Sequence, residues 1–370
     1  INTDQAKKAP GVYCVLTAKD IPGINRFGIS IQDQPVLAEN IVRMKGDAIA
    51  LVAAETLEQA EEAIRLIKVD YEELPGVYTI EEAMAENAPL VHENVPNNLL
   101  QYTHVCKGDV ESGFSKCKFI VEDTYTTQRA EHAYLEPETS FAYYDSTGIL
   151  NVDTSTQYVF RDRRQIAPVL AIPLNMIRVK QMTTGGGFGG KDDVTTEIQA
   201  ALLTYVTKKP VKISWSRSES MICSTKRHPM KIWVRTGCDG NGKLMAMEGR
   251  LYSDKGAYCS IGHFITKKAG LHLAGPYFIP NIKVDTIESY STGNIFLNNY
   301  TLGSDINLSS SIQTPSTRTN NITTTTGSGN IDILRPLICN SDLTCDNLYV
   351  LNNGSIPNLS STTGYVDNLN

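Results

Sequence analysis

Residues 185–190 read Gly-Gly-Gly-Phe-Gly-Gly, so Phe188 carries the only side chain in this stretch. Glycine destabilises both helices and strands, so the run predicts a backbone that turns sharply or approaches another group closely. Segment 176–182 predicts a strand, and apolar residues at helical spacing predict a helix from Val194 to Val206. Backbone N–H groups between a strand end and a helix start suit a phosphate or another electron-rich ligand.

The charge, hydropathy and cysteine pattern argue against several classes of partner and site. The net charge of −6 over 370 residues argues against nucleic acids and anionic membrane surfaces as main partners. No apolar run is long enough to span a bilayer and no signal peptide is visible, which predicts a cytoplasmic location. The eight cysteines include no Cys-x-x-Cys pair, so we expect neither a zinc site nor an iron–sulfur cluster.

The N-terminal part predicts a compact α/β domain over 1–84. It begins at Ile1 rather than Met, so we expect it to be truncated at its N-terminus. A strand is predicted at 48–54, followed by a capping box from Thr56 to Gln59. The next helix is predicted to bury residues 60, 63, 64 and 67, and the chain is predicted to return as a strand at 68–71. Segment 85–105 is polar and lacks periodicity, which predicts a linker.

A second α/β domain is predicted over 106–289, and it contains the glycine-rich loop. Its clearest local element is a hairpin, with arms at 230–236 and 244–252 and a turn at 239–242. The remainder, 290–370, is rich in Ser, Thr and Asn and contains neither lysine nor glutamate. This composition predicts a β-like or disordered tail and leaves open a foreign origin.

Two general interpretations of the glycine-rich loop compete. Gly185, Gly187 and Gly190 satisfy the G-x-G-x-x-G pattern of an NADP-type Rossmann oxidoreductase. Against this, the next predicted strand, 211–215, ends without an acidic residue to hold a ribose, and a β-hairpin follows where further βαβ units are expected. The second interpretation is a tight structural turn that packs a helix on a strand.

Several further motifs resemble one enzyme family. Residues 131–137 read EHAYLEP, 155–157 read STQ, 185–191 read GGGFGGK, and 216–221 read SRSESM before RHP at 227–229. This ordered set resembles the xanthine dehydrogenase/aldehyde oxidase family of molybdenum hydroxylases. The N-terminal part, with PGV at 10–12, DIPG at 20–23 and YEELP at 71–75, is similar to that family's α/β hammerhead domain. The resemblance covers about residues 7–285.

The resemblance implies an α+β chain: a hammerhead domain, the first half of a molybdopterin-binding domain, and the tail. It implies a molybdenum ion on a pterin dithiolene, which hydroxylates purine-like N-heterocycles or aldehydes with oxygen from water. Iron–sulfur clusters and FAD are expected on partner subunits, and a second molybdopterin-domain subunit is a further expected partner. An alternative is an inactive enzyme fragment fused to a fibre-like oligomerisation or adhesion segment.

The resemblance also assigns site residues. Gly186, Phe188 and Gly189 are expected to line the cofactor, and no side chain of the chain is expected to ligate the metal. Asp192 occupies the place of a substrate-orienting carboxylate, and a helix N-cap or first-turn role is equally open for it. For Asp193 we expect helix-start chemistry only. For five further motif residues, a structural role is either favoured over a role in the site or equally open: Glu131, His132, Trp215, Arg217 and Arg227.

The chain departs from the family pattern at two places. Ala130 stands where the family often has a glutamine that hydrogen-bonds a molybdenum oxo ligand. After 275–281, which still fits the family, the R-G-F-G element and the later half of the cofactor domain with its general base are absent. General-base help is typically worth about 10²–10⁴-fold in rate, so the chain is expected to be inactive alone.

Overall fold

The computed structural model describes residues 1–289 and, within the remainder, only short backbone strands. These strands are Asn307–Leu308, Thr323–Thr324, Ile331–Ile333, Leu343–Thr344, Leu348–Val350 and Leu359–Ser360. The predicted fibre-like or disordered character of 290–370 otherwise lies outside the described residues.

Eight helices and eleven strands are found within residues 1–289. The helices are α1 Asp4–Lys7, α2 Leu57–Arg65, α3 Ile80–Ala83, α4 Val110–Ser115, α5 Val159–Leu170, α6 Glu197–Thr207, α7 Arg217–Cys223 and α8 Gly262–Leu271. The strands are β1 Val12–Thr17, β2 Ala50–Ala54, β3 Leu99–Lys107, β4 Phe119–Thr127, β5 Thr139–Tyr144, β6 Leu150–Thr154, β7 Ile177–Gln181, β8 Val211–Ser214, β9 Met230–Cys238, β10 Leu244–Asp254 and β11 Asn281–Ser289. Short 3₁₀ turns occur at Ala18–Asp20, Pro96–Asn98 and Leu174–Met176.

The contacts divide the chain into two compact units. The first unit comprises Ile1–Val77, Gln128–Pro229 and Lys255–Gly262. The second comprises Tyr78–Thr127, Met230–Asp254 and the residues from His263 onward. Within the described part of the chain, no helix combines the length and hydrophobicity needed to cross a bilayer.

The first unit is built around a four-stranded sheet in the order β7-β6-β5-β8. β6 and β7 are parallel and are joined through α5, while β5 pairs antiparallel with both β6 and β8. Helices α5 and α6 pack on this sheet because both have an apolar face. The fully buried residues of this core include Ala142, Leu150, Val152, Ile166, Leu170, Ile198 and Leu202. A sheet with two antiparallel pairs is not a doubly wound parallel sheet, so the Rossmann interpretation is wrong.

The second unit is a five-stranded sheet in the order β3-β11-β10-β9-β4. The predicted hairpin is confirmed as β9 and β10, and each arm extends beyond its predicted end. β11 runs parallel to β10, and α4 packs Val110 and Phe114 against Ala246 of β10. β3 begins at Leu99, inside the segment predicted as a linker.

The part of that segment before β3 is held by one side chain rather than by periodic packing. Asn98 is fully buried. Its side-chain amide donates to the carbonyls of Pro89 and Ala83 over 2.9 and 3.2 Å, and its Oδ1 accepts from the Val91 N–H over 2.9 Å. Such a network leaves no repeating pattern in the sequence, so periodicity could not reveal it.

Local predictions in the N-terminal part have mixed outcomes. The capping box is confirmed, because Gln59 N–H donates to Thr56 Oγ1 over 3.3 Å and Thr56 N–H donates to Gln59 Oε1 over 3.2 Å. Ile64 is 54% exposed, so its assignment to the buried helix face is wrong. The strand predicted at 68–71 is also wrong, since only an isolated bridge joins Lys68 to Asn2.

Candidate functional site

The register of the four-stranded sheet brings the family-like motifs to one edge. β6 ends at Thr154, which pairs with Gln181 at the end of β7, so segments 155–157 and 185–191 leave the sheet side by side. Thr154 also pairs with Ser140 near the start of β5, so segment 131–137 enters at the same edge. β8 ends at Ser214 opposite the start of β5, and segment 216–221 follows there. Motifs separated by up to about 90 residues in the chain therefore meet.

The glycine-rich loop is anchored at both of its ends by side chains from two of these motifs. At its start, Gly185 N–H donates to Glu136 Oε2 over 2.7 Å, and Glu136 N–H donates to the Gly185 carbonyl over 3.2 Å. Towards its end, Gly189 N–H and Lys191 N–H both donate to Gln157 Oε1, over 2.9 and 3.3 Å. The loop is thus held by the EHAYLEP and STQ segments.

Lys191 joins the same two motifs from beneath the loop. Its side chain is 2% exposed, and its Nζ lies 3.0 Å from both Glu136 Oε2 and Ser155 Oγ. The Nζ also lies 4.7 Å from the centre of the buried Tyr134 ring. Burial raises the pKa of Glu136, but the Gly185 N–H and the Lys191 ammonium outweigh it, so the net pKa is lowered and the carboxylate stays ionised.

Close packing explains why this segment needs glycine. A Cβ atom at Gly187 would lie 2.4 Å from Gln157 Oε1, and one at Gly185 would lie 2.6 Å from Glu136 Cβ. At Gly190 it would lie 2.7 Å from Tyr134 Cε1 and 3.0 Å from His132 Nδ1. The run therefore allows a close approach of the backbone to neighbouring motifs, as its composition predicts.

The middle of the loop presents backbone donors. Within residues 1–289, the N–H groups of Gly186, Gly187 and Phe188 donate to no other residue. Gly186 and Phe188 have φ angles of 97° and 53°, and the Phe188 side chain is 76% exposed. Three consecutive unpaired donors, next to residues without Cβ atoms, can approach oxo or pterin acceptors closely. Gly189 differs, because its N–H is already bonded to Gln157.

Asp192 is held by an arginine rather than by a helix start. Its Oδ2 lies 3.0 Å from Arg161 Nη1, and the Arg161 guanidinium stacks on Tyr158 at 4.0 Å. The Oδ1 is buried and has no hydrogen-bond partner within the described residues. Helix α6 begins at Glu197 with Thr196 as its N-cap, so the N-cap alternative for Asp192 is wrong. A substrate-orienting role for it stays a prediction.

Asp193 is likewise not part of the helix start. Its Oδ1 accepts the Val194 N–H over 2.9 Å, while its Oδ2 accepts a short hydrogen bond from the Ser260 hydroxyl. Burial raises its pKa despite these bonds. Asp193 therefore ties the segment after the loop to residues 255–262 of the same unit, and the expectation of helix-start chemistry alone is wrong.

Sequence reasoning missed Asp162, which lies in α5. Its side chain is fully buried, and both of its oxygens lack a hydrogen-bond partner among the described residues. Burial first, and then the charge of nearby Glu197, raise its pKa from 3.8 to about 8. A polar residue one turn ahead of buried Ile166, on the apolar side of α5, is the sequence signal that could have revealed it.

The remaining candidates have structural partners. Glu131 Oε2 lies 2.6 Å from Lys226 Nζ, and its Oε1 accepts the His132 backbone N–H over 3.0 Å but lies 3.9 Å from His132 Nδ1, so the two side chains are not hydrogen-bonded to each other. Arg217 donates to the Tyr134 and Leu135 carbonyls over 2.6 and 2.9 Å. In the same way, Arg227 donates to the Gln128 carbonyl, and its backbone pairs with Ala130. Trp215 is half-buried.

No three His, Cys, Asp or Glu side chains within residues 1–289 are placed to hold a metal ion. An organic ligand at the glycine-rich loop would meet backbone donors instead. The unpaired donors at 186–188 suit such a ligand, because they match acceptor atoms rather than a bare cation. The described residues therefore fit a molybdenum–pterin group.

Two models of known protein families match this chain. Residues 91–293 match a family model described as molybdopterin cofactor-binding domain. Residues 1–75 match one described as aldehyde oxidase and xanthine dehydrogenase, a/b hammerhead domain. The chain belongs to the xanthine dehydrogenase/aldehyde oxidase family. The resemblance of the motifs and the α+β fold class are thereby confirmed.

Individual proteins similar to this chain carry names from the same family. The large molybdopterin subunit of nicotinate dehydrogenase from Eubacterium barkeri is 45% identical over 77% of this chain and 67% of its own length. The molybdenum-binding subunit of xanthine dehydrogenase from Escherichia coli O157:H7 is 33% identical over 75% of this chain and 38% of its own. The aldehyde oxidoreductase structure from Desulfovibrio gigas superposes with a TM-score of 0.75 at 29% identity, over 78% of this chain and 33% of that one. The chain thus spans only part of the length of each of these relatives.

Proposed function

We propose that segment 185–190 binds a molybdenum–pterin cofactor, and that the chain is the cofactor-binding part of a hydroxylase that oxidises N-heterocycles or aldehydes. The observation that carries this proposal is the row of unpaired N–H groups at 186–188, anchored at both ends inside a molybdopterin-domain match. The molybdenum cofactor supplies oxidation of a carbon with an oxygen atom derived from water.

The chain's own residues bind and orient. The N–H groups of Gly186, Gly187 and Phe188 donate to acceptor atoms of the cofactor, and the absence of Cβ atoms at the glycines allows a short approach. Gly189, expected to line the cofactor too, contributes through its conformation, with a φ of 93°, rather than through its N–H. Asp192, with its charge balanced by Arg161, orients the substrate ring through a carboxylate oxygen.

The names of the relatives and the position of Asp192 support the proposed substrate class. Their names specify nicotinate, xanthine and an aldehyde. A carboxylate suits a ring N–H, which favours an N-heterocycle. The electrons would pass to iron–sulfur and flavin groups on partner subunits, and a second molybdopterin-domain subunit would complete the site. We also propose that the chain comprises a hammerhead domain over 1–84, a linker over 85–105, part of a molybdopterin-binding domain over 106–289 and a tail over 290–370. We propose a cytoplasmic location.

A pair of glycine variants tests cofactor binding. Gly186→Ala places a Cβ at a φ of 97° and 3.0 Å from Tyr134 Cβ, whereas Gly148→Ala places one at a φ of 81° with no atom within 4 Å. Each costs roughly 1–2 kcal/mol in backbone strain, and only Gly186→Ala adds a tight contact, so its stability should fall somewhat more while both variants stay folded. Molybdenum per chain, measured after expression in a host that makes molybdopterin, should fall only in Gly186→Ala. Equal molybdenum in the two variants, or none in the parent protein with its partner subunits, would contradict the proposal.

A further inference from the structure

We propose that Gln157 is a positioning residue that holds segment 185–191 in its cofactor-binding conformation before the cofactor arrives. The proposal deepens the proposed function and rests on it, but its first test needs no cofactor. Gln157 contacts the segment at three points. Its side-chain Oε1 accepts the N–H groups of Gly189 and Lys191, over 2.9 and 3.3 Å. Its backbone N–H donates to the Lys191 carbonyl over 2.9 Å.

The amide of Gln157 occupies space that only glycine leaves open. The Cβ that Gly187 lacks would lie 2.4 Å from Gln157 Oε1 and 3.0 Å from its Cδ. The side chain therefore takes the space that a Cβ at 187 would need, while its oxygen accepts two backbone N–H groups. No other residue type at 187 would allow this placement without displacement of the amide.

The same bonds determine which donors remain for a ligand. Gln157 uses the N–H groups at 189 and 191, and Glu136 uses the one at 185. The N–H groups at 186, 187 and 188 are left unpaired within the described residues. One glutamine and one glutamate thus divide the segment into anchored ends and a middle with three unpaired donors, which is where we expect the ligand.

The conformation needs such anchors because part of it is intrinsically unfavourable. Phe188 has a φ of 53°, a left-handed conformation that L residues with a Cβ adopt at a cost. Its side chain is 76% exposed, so packing within residues 1–289 offers little compensation. Hydrogen bonds from the flanking residues to Gln157 and Glu136 fix the backbone on both sides of it, together with the turn bond from Gly190 N–H to the Gly187 carbonyl over 2.8 Å.

Two variants separate positioning from general stability. Gln157→Met keeps the length of the side chain but cannot accept a strong hydrogen bond, whereas Gln157→Glu keeps an acceptor oxygen at the same place. In cofactor-free protein, hydrogen exchange at the amides of Gly189 and Lys191 should quicken about tenfold or more in Gln157→Met, because two hydrogen bonds are lost. Exchange at Gly185, which is bonded to Glu136, should change little, and Gln157→Glu should exchange like the parent.

The second measurement uses loaded protein. Molybdenum retained after extended dialysis should fall about tenfold in Gln157→Met and recover in Gln157→Glu, with the thermal midpoints of the three proteins close together. Parent-like exchange at Gly189 and Lys191 in Gln157→Met would overturn the proposal, as would Gln157→Glu behaving like Gln157→Met. If the parent protein itself holds no molybdenum, the proposed function fails, while the exchange measurement still decides whether Gln157 positions the segment.

Discussion

Gly190→Ala is the substitution whose cost follows most directly from the structure. Its φ is not in the left-handed region, so an alanine there causes no backbone strain, and only the space around the new methyl group matters. That methyl would lie 2.7 Å from Tyr134 Cε1 and 3.0 Å from His132 Nδ1. Both neighbours are rings, and Tyr134 is 1% exposed, so neither can swing aside as a flexible chain end could.

The expected magnitude comes from overpacking. Adding a methyl group to a closely packed site typically costs about 1–3 kcal/mol. Loss of glycine's freedom in the unfolded chain returns roughly 0.4–1 kcal/mol, so the net loss should be about 1–2 kcal/mol. For a cooperative unit of this size, each kcal/mol lowers the thermal midpoint by about 2–4 °C, which predicts a fall of roughly 2–8 °C.

The assay is thermal and urea unfolding of the parent, Gly190→Ala and a control. Gly240→Ala is the matched control, because its φ is also unstrained and its new methyl meets only Lys118, at 3.3 Å from Cδ. A long lysine can move, so the control should change by less than about 0.5 kcal/mol. If Gly190→Ala is as stable as Gly240→Ala, then the loop does not lie against the His132 and Tyr134 rings, and the packing account is refuted.

Two further substitutions test buried polar groups. In the folded protein the pKa of Asp162 is about 8, whereas in the unfolded chain it is 3.8, so the free energy of unfolding should fall by up to about 1.4 kcal/mol per pH unit between those values. Urea unfolding from pH 5 to 8 should show a smaller pH slope in Asp162→Asn. An unchanged slope would refute the assignment. Asn98→Ala should cost about 2–4 kcal/mol by thermal unfolding, because three buried hydrogen bonds are lost, whereas a loss below about 1 kcal/mol would show that they do not order segment 83–98.

The local elements near the loop and the family of its motifs could be predicted from the sequence alone. The strand before the loop, the helix after it and the hairpin at 230–252 all follow from periodicity and turn chemistry, and each appears in the structure. Errors concern the strand predicted at 68–71, the buried faces of two helices and the ends of elements. Val206, for example, is 41% exposed, and α6 begins at Glu197, because tertiary contacts rather than spacing decide where a helix starts.

The convergence of the motifs could not be read from spacing. It depends on the pairing of Thr154 with both Gln181 and Ser140, which are long-range contacts set by strand register. The partners of individual polar groups were hidden for the same reason. Nothing local indicates that Gln157 accepts the amides of the loop, or that Arg161 holds Asp192.

Amide exchange across the loop, compared between cofactor-free and cofactor-loaded protein, tests the central claim most directly. If the cofactor lies against the unpaired donors, then exchange at Gly186, Gly187 and Phe188 slows on loading. The amides of Gly189 and Lys191, already bonded to Gln157, should change little. Unchanged exchange at 186–188 in protein that contains molybdenum would place the cofactor elsewhere and contradict the account.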